Sequence, residues 1–430
     1  MIPSNPYVPH ESLLMDVLMN LAQIAGHYRL QIQTGKDEYF CNIYGIKFMP
    51  SGAGKDRPFV NFRKVFMGDY FDMFNIEMNK HVESGTEEDP HRRFARMRSD
   101  ATSEGFLADR AAMVQAGFGG SFIKISEFAD YITSQTNSRG EFLSTLIESY
   151  DFGSNESKAT RKDADFIEIE GIPSNALLMS SLAGVLDGNR YGNDKLMSFF
   201  NRGAARRCFV CYPQIPEMKN SKEKYIAGML DNNKGLDPII NDFNSIINGV
   251  MSVLKVSNTV TLEDESMLWN YHYDCIREAE DKPESLRLEI LSRPFRALRL
   301  CGIIHLFESY DSFGVVSAYE YESAKYITEL YGVCYARFFA DNNDVIRVYN
   351  YLLEYEGDLL TTMDIRQLGM TSSNRFRTWW DTILPEIQDL AYANGYILRT
   401  EDHGKSGKKY SIVTKQLDEA LSNINLNNEF

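Results

Sequence analysis

The spacing of hydrophobic and polar positions near the N-terminus predicts a helix, a strand and a second helix in succession. Residues 11–33 carry apolar side chains at helical spacing, which predicts an amphipathic helix. Residues 41–49, CNIYGIKFM, alternate and are rich in β-forming residues, which predicts a strand. A turn of small residues at 50–54 joins this strand to a helical pattern over 55–67.

Strand and helix patterns continue to alternate up to residue 217. Such alternation is typical of a parallel sheet with crossover helices, so we predict one α/β domain over residues 36–217. Helical patterns lie in SEGFLADRAAMVQAG, RGEFLSTLIESYDF and SNALLMSSLAGVLD. The further strands are predicted at 93–98, 121–126, 166–171 and 208–212.

The pattern changes after Pro216, and helical periodicity dominates from about 236 to 340. The last part of the chain predicts three helices followed by two β-like runs in YILRTEDHGKSGKKYSIV. Three helices and a hairpin resemble a winged-helix domain, a sub-fold that binds DNA in many proteins and mediates protein contacts in others. The predicted division is an N-terminal helix at 1–35, an α/β domain at 36–217, a helical region at 218–340 and a winged-helix domain at 341–430.

Composition narrows the class of protein only slightly. The chain is 43% hydrophobic with a net charge of −15, which argues against a protein that coats nucleic acid with its whole surface but leaves a local basic groove open. Six dispersed cysteines and seven scattered histidines form no metal pattern, and core thiols in a reducing compartment are expected. Because no apolar run is long enough to span a bilayer and no secretion signal is evident, we expect a cytoplasmic protein without a membrane partner.

A candidate phosphate-binding loop, PSGAGKD, lies at residues 50–56 between the predicted strand and helix. Gly52 and Gly54 would let the backbone wrap so that several N–H groups face one point, and the helix N-terminus favours anions. Lys55 would reach the β- and γ-phosphates of a nucleotide. The pattern GxxxxGK[ST] is incomplete at both ends, where Met49 and Asp56 stand. An ordinary glycine turn is the structural alternative.

Acidic residues follow two further predicted strands. Asp100 and Glu104 come after the first, and Glu127 ends the second. Ligands in open α/β sheets bind outside the carboxyl ends of the strands, where one carboxylate could orient an attacking water and another could hold Mg²⁺. The alternative is that Glu104 caps a helix and Glu127 is a solvated residue at a helix start.

These features resemble the phage- and plasmid-encoded RecA-like P-loop ATPases known as uncharacterised primase- or helicase-associated proteins, which are related to replicative hexameric helicases. The resemblance covers roughly residues 36–335, and its specificity comes from the order of individually degenerate motifs. The blocks are PSGAGKD at 50–56, DATSEGF at 100–106, GSFIKISEFADYI at 120–132, NRGAARRCFVCYP at 201–213 and, more weakly, RPFRALRLCGIIHLFES at 293–309.

The resemblance implies a role for each matching residue. Lys55 and the loop Ser51, Gly52, Ala53, Gly54 and Asp56 would bind ATP. Glu104 would orient the attacking water, and Glu127 would belong to the metal-side acidic motif, with Ser126 where the family often has Asp. Ser174 or Asn175 would sense phosphate, and Arg207, beside Arg206, would act as an arginine finger in trans. Asp56 would share Mg²⁺ with Glu127, since a carboxylate is a good ligand for a hard cation.

The same resemblance implies a ring, most simply a hexamer, that acts on single-stranded or forked DNA together with a primase or other replication proteins. The expected activity is an ATP-hydrolysing DNA helicase or helicase-like motor of a phage or mobile element. The alternative is a DNA-binding initiator, loader or switch that does not translocate. In the C-terminal region, Lys405, Lys408 and Lys409 lie on the predicted wing, where they could contact phosphates. Trp379 and Trp380 are expected to form core rather than to stack on bases.

Overall fold

Two compact units make up the chain. Unit 1 comprises Met1–Val185 and Lys195–Tyr335, and unit 2 comprises Leu186–Asp194 and Ala336–Phe430. Residues 186–194 of the predicted 36–217 domain therefore fall in unit 2, and the predicted boundary at 340/341 lies just inside that unit. The structure is a computed structural model. It describes residues 8–35, 37–50, 55–74, 97–98, 102–116, 119–133, 137–151, 171–181, 190–214, 236–342, 344–366, 376–402 and 408–416.

A five-stranded parallel sheet forms the centre of unit 1, which confirms the predicted α/β fold class. Its order is β4-β5-β6-β3-β7, and every neighbouring pair is parallel. The connection that leaves β3 runs past β6 and β5 to β4, while the connection that leaves β6 runs past β3 to β7. The chain therefore leaves the neighbouring strands β3 and β6 in opposite directions along the sheet. Open α/β sheets bind ligands at such a switch point, outside the carboxyl ends of the strands. The strands are β3 Tyr44–Phe48, β4 Met97–Arg98, β5 Ser121–Ile125, β6 Ser174–Ser180 and β7 Cys208–Cys211.

The fourth strand of the sheet differs from the prediction. SNALLMS was predicted to begin a helix, whereas it forms β6 and is buried along its whole length. The predicted strand at 166–171 lies outside the described residues except for Gly171, which forms a bend with φ of 72°. Ala, Leu and Met favour helices, but burial between β5 and β3 decides the state of this segment.

A second sheet was not predicted. The first helix, α1 (His10–His27), ends earlier than the predicted residue 33, because Arg29 adopts a left-handed conformation with φ of 55° and its guanidinium donates to the carbonyls of Met113 and Gly119. The chain then forms β1, which pairs with β2 in a hairpin and with β8 in parallel. The sheet order is β2-β1-β8-β9, with β1 Gln31–Thr34, β2 Asp37–Phe40, β8 Thr259–Leu262 and β9 Val315–Val316.

Helices cover the sheets of unit 1 and account for most of the region after residue 236, as predicted. One core cluster joins α1, β6 and β7 to a long helix, α9, in which Arg293, Arg296 and Arg299 recur every third residue and are all buried. The helices from α2 onward are α2 Arg57–Phe66, α3 Ser103–Ala116, α4 Phe128–Thr133, α5 Asn137–Glu148, α6 Arg190–Phe199, α7 Leu236–Leu254, α8 Ser266–Ala279, α9 Glu284–Glu308 and α10 Ala318–Asn342.

Unit 2 has the three helices and the antiparallel sheet of a winged-helix domain, as the sequence predicts. The sheet order is β10-β12-β11, and β11 and β12 form the wing hairpin. Trp379 and Trp380 are 1% and 3% exposed, which confirms that they belong to the core. The elements are α11 Asp344–Glu354, β10 Leu360–Thr361, α12 Thr362–Arg366, α13 Phe376–Ala393, β11 Tyr396–Asp402 and β12 Lys408–Thr414.

Candidate functional site

Two predicted site residues meet at the carboxyl edge of the parallel sheet. Lys55 follows β3 and Glu127 follows β5, and the Lys55 Nζ donates to Glu127 Oε1 at 2.8 Å. The lysine side chain is 15% exposed and the glutamate 61%. Since β6 lies between β3 and β5, this pair spans the end of the central strand. The ammonium predicted to bind phosphates is therefore close to the carboxylate predicted on the metal side.

A second ion pair lies beside the first. Asp56 Oδ1 accepts from Lys124 Nζ at 2.7 Å and from Ser126 Oγ at 3.0 Å, and Lys124 Nζ also donates to Ser126 Oγ at 3.0 Å. Asp56 stands before the first turn of α2, and Lys124 lies near the end of β5. The structure thus joins Asp56 to Ser126, which were both singled out in the sequence, through a lysine that was not.

A third, fully buried pair fixes the base of this edge. Lys47 in β3 donates from Nζ to both oxygens of Asp16, at 2.9 and 2.8 Å, and to the backbone carbonyl of Lys55 at 2.9 Å. Both side chains are 0% exposed. Burial raises the pKa of Asp16 to about 6, although Lys47 acts in the opposite direction. The pair ties β3 and α1 to the segment that presents Lys55.

A signal for these missed residues exists in the sequence. Lys47 interrupts the apolar strand YGIKF, Lys124 interrupts SFIKI, and Asp16 interrupts the apolar LLMDVLM of α1. A charge inside an apolar run must be paired when the run is buried, because burial of a single charge is costly. Sequence alone does not say which charge pairs with which.

The two carboxylates predicted to hold Mg²⁺, those of Asp56 and Glu127, both pair with lysines in this structure. An ammonium group on a carboxylate competes with a divalent cation for the same oxygen. Among the described residues, no group of three or more acidic, histidine or cysteine side chains could hold a metal.

Other predicted residues are not joined to this cluster. Ser51, Gly52, Ala53, Gly54 and Asp100 lie outside the described residues. Glu104 is exposed in the first turn of α3, and within the described ranges its carboxylate makes no contact with Lys55 or Glu127.

The predicted phosphate sensors occupy the wrong end of their strand. Ser174 and Asn175 begin β6 instead of following a strand, so roughly 20 Å of extended chain separates Ser174 from the carboxyl edge. Both are buried and structural: Ser174 Oγ donates to the Ser149 carbonyl at 3.2 Å, while Asn175 Nδ2 donates to the Ala22 carbonyl at 3.0 Å. The polar side chain at the carboxyl end of β6 is that of Ser180, whose Oγ accepts a hydrogen bond from the Ala129 amide at 3.2 Å.

Arg207 lies at the amino edge of the sheet, immediately before β7. Its Nε and Nη2 donate to Asp151 Oδ2 at 3.0 and 2.8 Å, and Arg299 Nη2 donates to Asp151 Oδ1 at 3.1 Å. Lys55 is at the opposite edge, so Arg207 cannot serve the Lys55 site of its own chain. A role as an arginine finger would need a second copy.

The wing of unit 2 carries opposite charges on its two strands. Lys408 is opposite Asp402 and Lys409 is opposite Glu401 in the ladder, and Lys405 lies outside the described residues. On α13, the exposed side chains include Asp381, Glu386 and Asp389, with Arg377 as the exposed cation. Phosphate contact along α13 is therefore unfavourable, because its acidic residues would repel the phosphate.

Comparisons with known proteins leave the family open. No family model matches the chain, and no curated protein matches it. Among solved structures, the Orc1 protein of Aeropyrum pernix in complex with DNA matches at 12% identity over 98% of this chain and 95% of that one, with a TM-score of 0.22. A likeness at this TM-score carries no argument for function. None of the described helices is long and apolar enough to cross a membrane.

Proposed function

We propose that the chain is an ATP-binding, DNA-binding protein whose unit 1 takes the triphosphate at the carboxyl edge of the parallel sheet. The observation that carries this is the position of Lys55, which follows β3 at the switch point of the sheet and reaches across β6 to Glu127 at 2.8 Å. A half-buried ammonium at such an edge is suited to a phosphate oxygen.

The triphosphate would exchange partners at the Lys55–Glu127 ion pair. Its β- and γ-phosphate oxygens take the place of the Glu127 carboxylate on Lys55, and the amides of residues 51–54 complete the cradle. The released Glu127 or the exposed Glu104 would then orient the attacking water. Lys47 keeps the Lys55 carbonyl in place through this exchange because its other two bonds go to buried Asp16.

Two versions of this function differ in turnover. In the first, the protein is a ring-shaped, hexameric helicase or helicase-like motor of a phage or mobile element. It acts in the cytoplasm on single-stranded or forked DNA with a primase or other replication proteins, and Arg207 acts in trans. In the second, it is an initiator, loader or switch that binds ATP and turns it over slowly. The pairing of Lys55 with Glu127 favours the switch, because this pair must open before Lys55 can hold a phosphate.

Steady-state ATP hydrolysis with and without single-stranded DNA tests both versions. Stimulation by DNA together with strand displacement supports the motor, while tight ATP binding without a DNA effect supports the switch. Lys55→Ala should abolish either behaviour, and Lys64→Ala, which changes an exposed lysine on α2, is the matched control. If Lys55→Ala and Lys64→Ala bind ATP equally well, the site is elsewhere.

DNA binding is tested separately on the wing. Replacing Lys408 and Lys409 by alanine should weaken binding to single-stranded DNA and lower the slope of log affinity against log salt by about one for each lost phosphate contact. An unchanged slope would place the DNA contact outside the wing.

A further inference from the structure

A cavity of 330 Å³ opens at the amino edge of the parallel sheet, away from Lys55. Three of its walls come from the N-terminal hairpin, the end of α5 with the residues after it, and α9. The fourth is the turn that leads into β7. Four guanidinium groups and an aromatic wall line it: Arg206, Arg207, Arg296 and Arg299 with Tyr39 and Tyr150.

The charges of the lining do not balance. Arg296 is offset by Glu289, but Arg207 and Arg299 share the single carboxylate of Asp151. Arg206 is exposed and has no ion pair with any residue that the structure describes. Counted over the described residues, two positive charges are therefore left over at this cavity in a chain whose net charge is −15, and an anion is the complement.

The donors and the rings are held in place before any ligand arrives. The Arg299 guanidinium lies 4.4 Å from the Tyr150 ring centroid and donates to the Phe40 carbonyl at 2.9 Å. Arg296 donates to the Cys208 carbonyl at 2.7 Å, while its buried Nε finds no acceptor among the described residues. Phe295 adds a third ring, 6.0 Å from that of Tyr39. Fixed cations beside fixed rings suit a ligand that is anionic at one end and planar at the other.

We propose that this cavity binds a small phosphorylated aromatic compound, of which a nucleoside 5′-monophosphate is the simplest example. Its phosphate lies on Arg206 and Arg207, and its ring packs against Tyr39 and Phe295. The volume of 330 Å³ is at the lower limit for ligand sites, which suits a mononucleotide better than a larger cofactor. The 5′-phosphorylated end of a nucleic acid offers the same chemistry. The inference does not depend on the function proposed for the Lys55 edge.

The test is carried out on the full-length Lys55→Ala protein, so that the carboxyl edge contributes no binding. Calorimetric titration with AMP is expected to show one site per chain. Adenosine and inorganic phosphate, which each carry half of the recognised chemistry, should bind at least about tenfold more weakly. A 5′-phosphorylated oligonucleotide that binds more tightly than both AMP and the same oligonucleotide with a 5′-hydroxyl identifies a nucleic-acid end as the natural ligand, because the wing of unit 2 would bind both oligonucleotides alike. Equal binding of the two oligonucleotides identifies a free nucleotide.

Two variants in the same background locate the site. Ser292→Asp places a negative charge in the half-buried lining of the cavity, and Arg206→Ala removes the cation that has no ion pair with a described residue. Each change should weaken AMP binding about tenfold, the size of one charge-assisted hydrogen bond. Arg202→Ala removes an exposed arginine outside the lining and should leave binding unchanged. Thermal melts verify folding. No AMP binding in the Lys55→Ala protein, or equal binding by all three variants, overturns the proposal.

Discussion

The two edges of the parallel sheet hold their charges in different ways. At the carboxyl edge each ammonium has a carboxylate of its own, Lys55 with Glu127 and Lys124 with Asp56. At the amino edge two guanidinium groups share Asp151. An anion that enters the carboxyl edge must displace a carboxylate, whereas one that enters the amino edge adds to pairs that remain. The first arrangement suits a site that switches, and the second suits one that simply binds.

The largest effect is expected from the buried pair beneath the carboxyl edge. Lys47→Met leaves the Asp16 carboxylate buried without its cation and should cost about 3–5 kcal/mol of unfolding free energy in urea. Lys64→Met, on the exposed face of α2, should stay within about 0.5 kcal/mol of wild type. Replacing Lys47 by Met and Asp16 by Leu together should recover part of the loss. Equal urea midpoints for Lys47→Met and Lys64→Met would show that the Lys47–Asp16 pair does not stabilise the fold.

How far the sequence predicts these edges depends on the element. Strand β3 was predictable because its β-forming residues alternate, and the wing because its turn separates two β-like runs. Strand β6 was not, since Ala, Leu and Met favour a helix and only its neighbours in the sheet make it a strand. Placing Ser174 after a strand followed from that error.

The candidate site was predictable in part for a similar reason. Lys55, Asp56 and Glu127 belong to local motifs, so sequence found them. Lys47 pairs with a residue 31 positions away and Lys124 with one 68 positions away, and such pairings exist only once the sheet and α1 are assembled.

The next largest effect is a pH dependence of stability that comes from His27, the last residue of α1. Burial lowers the pKa of His27 to about 3, with Arg63 acting in the same direction, and the ring stacks on Phe74 at 4.1 Å. Between about pH 6.5 and 3 the His27 ring binds a proton in the unfolded chain but not in the folded chain, so the free energy of unfolding falls as pH falls. From pH 7.5 to pH 5 this costs about 2 kcal/mol.

Urea unfolding of His27→Gln at both pH values measures that loss. The His27→Gln protein should not lose this stability between pH 7.5 and pH 5. The His10→Gln protein, which changes an exposed residue of α1, should lose it as wild type does. Asp16, in the second turn of α1, acts in the opposite direction. Its pKa is raised to about 6, so its contribution to stability is present below about pH 4 and is lost as pH rises through 6. A His27→Gln protein with the same acid loss as wild type would contradict the assignment.

A smaller effect is expected from Lys124, whose charge neutralises Asp56. In Lys124→Met the Asp56 carboxylate keeps Ser126 but loses its cation, and an uncompensated carboxylate beside a triphosphate is unfavourable. ATP affinity in EDTA should fall about tenfold, the size of one charge-assisted contact. Added Mg²⁺ should restore the variant while changing wild type little. If the wild-type protein binds ATP only with Mg²⁺, the metal ion displaces Lys124 from Asp56.

The smallest effect tests whether a phosphate displaces the Glu127 carboxylate from Lys55 or binds beside the intact pair. Glu127→Gln removes the carboxylate that a phosphate must displace from Lys55, so ATP should bind more tightly. Because Glu127 is 61% exposed, the ion pair is screened and the gain should be about fivefold. Hydrolysis should fall in the same variant if the released carboxylate orients water, so tighter binding and slower turnover would appear together. Glu148→Gln, an exposed change at the end of α5, should alter neither, and weaker ATP binding by Glu127→Gln would show that the glutamate assists the ligand instead of competing with it.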